Sequence, residues 1–262
     1  MWVFLLACAD DCDPGFEARD SRCYWSEASD ASPQLLLDAV LAVPLPDPIS
    51  VARHYQNWMQ HADASCPGEN NGVWDNPGCT TDEGVEFAGK AVFFWAGESE
   101  SGAGEVRVDM ALLSSVVVRD GERFVEMGGV ASYDAVLQEQ GYDVRSKVTG
   151  DFFETPEQEP WMADGLGHSL YAHLDTHSGV LELDGGMSHP SADLYFENLV
   201  LVDGCPQGQV LVHEHLAQGW TELNWNCGCG TVDRGPLEGQ EFCAPLAERA
   251  AELQAVLQEP LP

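Results

Sequence analysis

Basic residues are scarce in this chain of 262 residues. Eleven Lys and Arg stand against 44 Asp and Glu, a formal charge of −33. Lys90 and Lys147 are its only lysines. With no basic cluster to neutralise phosphates, no nucleic-acid partner is expected, and direct binding to anionic headgroups is disfavoured. Long apolar runs are scarce too. Beyond the first residues no stretch of roughly 18 apolar residues occurs, so no helical membrane span is expected. The regular strand alternation and aromatic girdles of an outer-membrane barrel are missing. There is no internal repeat. The D-x-[DN]-x-[DN]-G spacing of an EF-hand is absent, which leaves Asp82, Glu83, Asp184 and Asp193 as scattered candidates for Ca²⁺.

What is present suffices for a folded domain. Apolar residues make up 44% of the chain, enough to bury a core. Met1–Cys8 reads M-W-V-F-L-L-A-C, an apolar run closing on Leu5-Leu6-Ala7-Cys8. This end resembles the lipobox of bacterial secreted lipoproteins. The resemblance implies export to the bacterial cell envelope, on the periplasmic side or the surface of the outer membrane. It also implies cleavage and lipidation of Cys8, with the membrane reached through that lipid anchor. No basic residue precedes Cys8, so residues 1–8 are expected to be a truncated signal sequence. The competing reading is a buried first strand.

With Cys8 set aside, eight cysteines remain, an even number in local clusters, as in a disulfide framework. Cys12 and Cys23 bracket a short Asp-Pro-Gly loop. Cys66 and Cys79 close a stretch rich in Gly, Asn and Pro. The last four are expected to pair as Cys205–Cys227 and Cys229–Cys243. Such a framework implies an oxidising compartment.

The periodicities give a mainly β fold: a meandering antiparallel sheet, rolled or barrel-like, with an N-terminal and a C-terminal helix. Residues 9–32 are expected to form the Cys12–Cys23 loop and a tether, 33–65 a helical segment, 66–243 the disulfide-stapled sheet and 244–262 the closing helix. Gln34–Val43 is helical up to Pro44, and Asp47 caps a second helix with Pro48 at its first position. Odd positions from Val85 to Trp95 and even positions from Val106 to Leu112 mark strands. Asp120-Gly121 is a strong hairpin turn. Asp134–Glu139 is expected as a helical turn and Asp193–Asp203 as a central strand covered on both faces. The inner stripe of the last helix is Leu246, Ala250, Leu253 and Leu257.

Candidate chemistry gathers between Gly167 and Gly230. Gly167-His168-Ser169-Leu170 opens like the G-x-S-x-G nucleophile elbow of α/β-hydrolases, but Tyr171 replaces the last glycine and Ser169 leads into a strand. His173, Asp175 and His177 alternate on one strand face. Imidazole and carboxylate suit zinc, although residues two apart on a strand lie ~6.5–7 Å apart, so three in a row converge poorly. The other reading is a polar face of His–Asp and His–Glu pairs. A turn at Ser178-Gly179 sets His173 opposite Asp184 and Asp175 opposite Glu182. In the next hairpin a turn at Gln218-Gly219 sets His213 opposite Asn224 and His215 opposite Glu222. His213, His215 and Glu222 form the second candidate metal group, with Cys227 and Cys229 better used in disulfides.

The leading expectation is a non-enzymatic, exported envelope lipoprotein with a structural or binding role toward an unknown protein or small molecule, needing no cofactor. The alternatives are a protein that binds Zn²⁺ or Ca²⁺ or a metal-dependent hydrolase, and a small-ligand carrier with an apolar pocket inside a partly closed sheet.

Overall fold

The computed structural model describes residues 12, 16–19, 22–25, 33–96, 105–155, 166–189, 191–215, 219–233 and 237–258. Among these, fourteen strands join into one rolled sheet. They are β1 (Phe16–Arg19), β2 (Arg22–Trp25), β3 (Val73–Thr80), β4 (Glu86–Ala96), β5 (Glu105–Asp120), β6 (Arg123–Leu137) and β7 (Tyr142–Thr155). The chain continues with β8 (Leu166–Asp175), β9 (Val180–His189), β10 (Ala192–Val202), β11 (Cys205–Glu214), β12 (Gly219–Asn226), β13 (Cys229–Val232) and β14 (Glu241–Cys243). From β3 to β12 each strand pairs antiparallel with the next. On the edge of β12 away from β11, β2 joins in parallel at Gly219 and Trp220 and β13 pairs antiparallel at Leu223–Asn226, with β14 beyond it. The expected rolled antiparallel meander is therefore the fold.

Three helices pack on one face of the sheet: α1 (Pro33–Val40), α2 (Pro48–Met59) and α3 (Leu246–Gln258). α2 starts as its sequence dictates. The Asp47 carboxylate accepts from the Ser50 N–H at 2.7 Å, and Pro48 supplies the helical φ without needing a donor. Its Val51, Tyr55 and Trp58 pack with Phe87, Met110, Val118, Val125 and Met127. Leu36, Leu37 and Val40 of α1 and the expected stripe of α3 cover the strands from β8 to β12. Alternation decides the sides: Val125, Met127, Ala131, Tyr133 and Ala135 of β6 all face the helices. The buried Tyr133 hydroxyl donates to the Leu257 carbonyl at 3.2 Å and ties α3 to the sheet.

The roll needs glycine where strands crowd. Gly129 and Gly150 have φ of 115° and 135°. A Cβ on Gly129 would lie 1.9 Å from the Thr149 carbonyl oxygen, and one on Gly150 would lie 1.8 Å from that of Gly128. Only the bare backbone permits β6 and β7 to approach there.

Several local expectations are corrected. Asp134–Leu137 continues β6 rather than forming a helical turn; Tyr133 and Ala135 need the inner face, and a helix would rotate one of them away. The Cys66–Cys79 stretch holds an edge strand, β3. β10 is covered on one face, not both: Leu194 and Phe196 point inward, then Leu199 and Leu201 do. A bulge between Glu197 and Val200, with Asn198 at φ 51°, shifts the inward parity from even to odd, so the apolar pattern only looked continuous.

All four expected disulfides are formed: Cys12–Cys23, Cys66–Cys79, Cys205–Cys227 and Cys229–Cys243. Such a framework belongs to an oxidising, extracytoplasmic environment. Cys8 and most of the expected tether lie outside the described residues. No helix among those residues is long and apolar enough to cross a membrane.

Candidate functional site

The side of the sheet away from the helices carries a row of polar and aromatic residues across β9–β12. Ser188 of β9 pairs with Asp193 of β10, Asp193 with His213 of β11, and His213 with Trp220 of β12. Directly opposed residues on neighbouring strands project to the same side, so the row follows from register alone. His215 lies two residues beyond His213, just past the strand end. Its backbone N–H donates to the Ser191 carbonyl at 3.1 Å, which holds the chain in strand-like alignment there.

Side chains converge at this row. His213 Nδ1 lies 3.3 Å from Asp193 Oδ2, and His215 Nε2 lies 2.9 Å from Asp193 Oδ1. One donor atom from each of the three falls within 4.8 Å of the others, the one such group among the described residues. The cluster is partly sheltered: the Asp193 and His213 side chains are 14% and 15% exposed and His215 is 34% exposed.

Neighbours fix the group. The His213 ring stacks on Trp220 with centroids 4.3 Å apart, and Tyr195 stacks on the same indole at 5.9 Å. The Arg22 guanidinium lies over Trp220 at 4.7 Å. Ser188 donates its hydroxyl to Asp193 Oδ1, and the Tyr195 hydroxyl donates to Oδ2 at 3.3 Å. Burial alone would raise the Asp193 pKa, but hydrogen bonds from Ser188, His215 and His213 together outweigh it and hold the carboxyl below its ordinary range. The Tyr195 hydroxyl is pushed up by burial and by the Asp193 charge. His189 is shifted down, first by burial and then by His215.

The sequence-expected site residues are only partly brought together. His213 and His215 do share one surface. Glu222 is on the same face of β12 but two residues beyond Trp220; it opposes Leu211 and accepts a hydrogen bond from the Gln209 amide. Asp193 takes the place expected for Glu222. The expected register was four residues out, because the connection from His215 to Gln218 leaves β12 starting at Gly219. An even slip keeps every residue on its face, so the apolar pattern could not reveal it.

His173, Asp175 and His177 do not form a group. His173 faces Glu182 rather than Asp184, and its ring nitrogens lie 3.2 Å from Glu182 Oε2 and 3.2 Å from Asp143 Oδ1. Asp175 faces Val180 and caps the four-residue turn Thr176–Gly179. It accepts from the Ser178 hydroxyl at 2.7 Å and the His177 N–H at 2.9 Å, which hold its carboxyl below the ordinary range. His177 is exposed in that turn. Beside His173 a groove of about 390 Å³ is bordered by Tyr171, Glu182, Asp184 and Asn198. Ser169 lies within β8, which turns back into β9, so the strand-to-helix turn of a nucleophile elbow is not formed there.

Sequence reasoning missed Ser188, Tyr195 and Trp220 as site residues and set Asp193 aside as an isolated acid. The usable signal was the short Pro190-Ser191 connection between β9 and β10. A hairpin closed there sets Ser188 opposite Asp193 in any register that pairs His189 with Ala192. No protein family, curated protein or solved structure matches this chain.

Proposed function

We propose that this chain is an exported, non-enzymatic binding protein of the bacterial cell envelope, tethered by a lipid on Cys8, which presents the Asp193–His213–His215 surface to its ligand. The observation that carries the reading is the complete local pairing of eight cysteines into four disulfides, with Cys8, the last residue of the lipobox-like run, left over. A free thiol in an oxidising compartment would be a liability, whereas a thioether-linked lipid would remove it. The helices on one side of the sheet leave the other side for contact, and the ordered polar cluster lies there. The acidic surface keeps a tethered domain soluble and clear of anionic lipid.

Intact mass spectrometry of the protein, expressed in an exporting bacterial host with a basic n-region and apolar core completing the signal before Leu5-Leu6-Ala7-Cys8, tests this. The expected product begins at Cys8, carries acyl chains and shows no titratable thiol until reduced. Cys8→Ser is expected to abolish both cleavage and lipid. An unlipidated product with its cysteines free would sink the proposal.

A further inference from the structure

The geometry points to a divalent transition-metal site formed by His213 Nδ1, His215 Nε2 and an Asp193 carboxylate oxygen, selective for Zn²⁺ and Cu²⁺ over Ca²⁺. This inference names the ligand of the proposed binding surface and rests on that reading only for its biological setting.

The donor set selects the metal. Two imidazoles and one carboxylate suit Zn²⁺ and Cu²⁺, whereas Ca²⁺ requires six to eight oxygens. The spacing also fits. Metal–ligand bonds of ~2.0–2.2 Å around a tetrahedral zinc leave neighbouring donor atoms roughly 3.3 Å apart. His213 Nδ1 and His215 Nε2 already lie 3.3 Å and 2.9 Å from the two Asp193 oxygens. One donor atom from each residue lies within 4.8 Å of the other two, and side-chain rotation closes the remainder.

The shell around the donors is that of an ordered metal site. Ser188 and Tyr195 donate to the carboxylate, which orients it. Trp220 fixes the plane of the His213 ring. The donors come from β10, from β11 and from the residue just past β11, two of them on paired strands of one sheet, so the preorganisation lies in the backbone. The net charge of −33 raises the local concentration of cations at the surface. An accidental His–Asp–His contact would lack these supports. The His173 cluster shows the contrast: one imidazole is satisfied between two carboxylates, and among the described residues no second imidazole joins it.

Isothermal titration of the disulfide-intact, chelator-stripped protein tests the inference, with Zn²⁺ alone, Cu²⁺ alone and Ca²⁺ alone. One equivalent of Zn²⁺ is expected to bind with micromolar or tighter affinity, Cu²⁺ more tightly, and Ca²⁺ not at this site. His215→Ala and His213→Phe, the second preserving the stack on Trp220, are each expected to weaken Zn²⁺ binding at least tenfold. Ser188→Ala should weaken it about tenfold through the carboxylate alone. His173→Ala should leave it unchanged. Absence of stoichiometric Zn²⁺ and Cu²⁺ binding overturns the proposal, as does binding that survives both His213→Phe and His215→Ala in variants with native near-UV circular dichroism. Such a failure leaves the lipid and disulfide masses untouched, so the two proposals fail separately.

Discussion

The Asp63 carboxylate, on the exposed turn after α2, accepts four hydrogen bonds: from the Ser65 N–H and hydroxyl, the Cys66 N–H and the Asp82 N–H. They join the start of the Cys66–Cys79 loop to the turn that follows β3. The Ser65 hydroxyl leads the causes that lower its pKa to about 2, against an ordinary 3.8. Because the folded value is depressed, the contribution is full above the ordinary value and is lost as pH falls through about 2. Asp63→Ala is therefore expected to have a lower Tm than the parent at neutral pH. The two Tm values should meet near pH 2. An undiminished gap at that pH would show that the carboxylate's charge is not what holds the turn. Asp193 works by the same chemistry in a more sheltered place, where its ionised state prepares it to accept a cation rather than to close a loop.

At the scale of the element, the close approach of β6 and β7 at Gly129 and Gly150 demands glycine. Gly150→Ala places a Cβ against the Gly128 carbonyl in a backbone region that L-residues avoid. Urea unfolding is expected to show a loss of at least about 2 kcal/mol. Gly121→Ala, also at positive φ (62°) but with open space around it, should lose only about 1 kcal/mol. Equal losses would mean that the crowding of β6 and β7 is not what demands glycine. The apolar alternation made the strands, their inward faces and the α3 stripe legible from the residues alone. Turn length was not legible. The Asp175 cap stretches one turn to Thr176–Gly179, and the other hairpin closes through four residues after Glu214. Both registers consequently slid by even steps that the alternation cannot register. The β10 bulge at Glu197–Val200 was hidden for a related reason, since one extra residue turns an alternating pattern into an apparently unbroken apolar run. The site therefore came out half right. His213 and His215 share a strand and need only its periodicity, whereas Asp193 reaches them through cross-strand register.

At the scale of the whole molecule, one sheet serves two purposes. The face toward α1, α2 and α3 holds the core, which frees the other face for polar chemistry. The disulfides close the sheet's local excursions: Cys205–Cys227 links the start of β11 to the turn just after β12, and Cys229–Cys243 fixes β14 against β13 just before α3. β11 and β12 carry the His213–Trp220 stack and lie beside this stapled region, so the histidines are held by a framework braced for an oxidising environment. The Cys12–Cys23 bridge fixes the β1–β2 hairpin, whose Tyr24 pairs with Trp220, behind the same site. An anomalous difference map at the zinc edge, from crystals of the disulfide-intact protein grown with one equivalent of Zn²⁺, tests this arrangement most directly. The account expects one dominant peak within ~2.0–2.2 Å of His213 Nδ1, His215 Nε2 and an Asp193 oxygen. A map with no peak there, or with its main peak at His173 or Glu222, would contradict it.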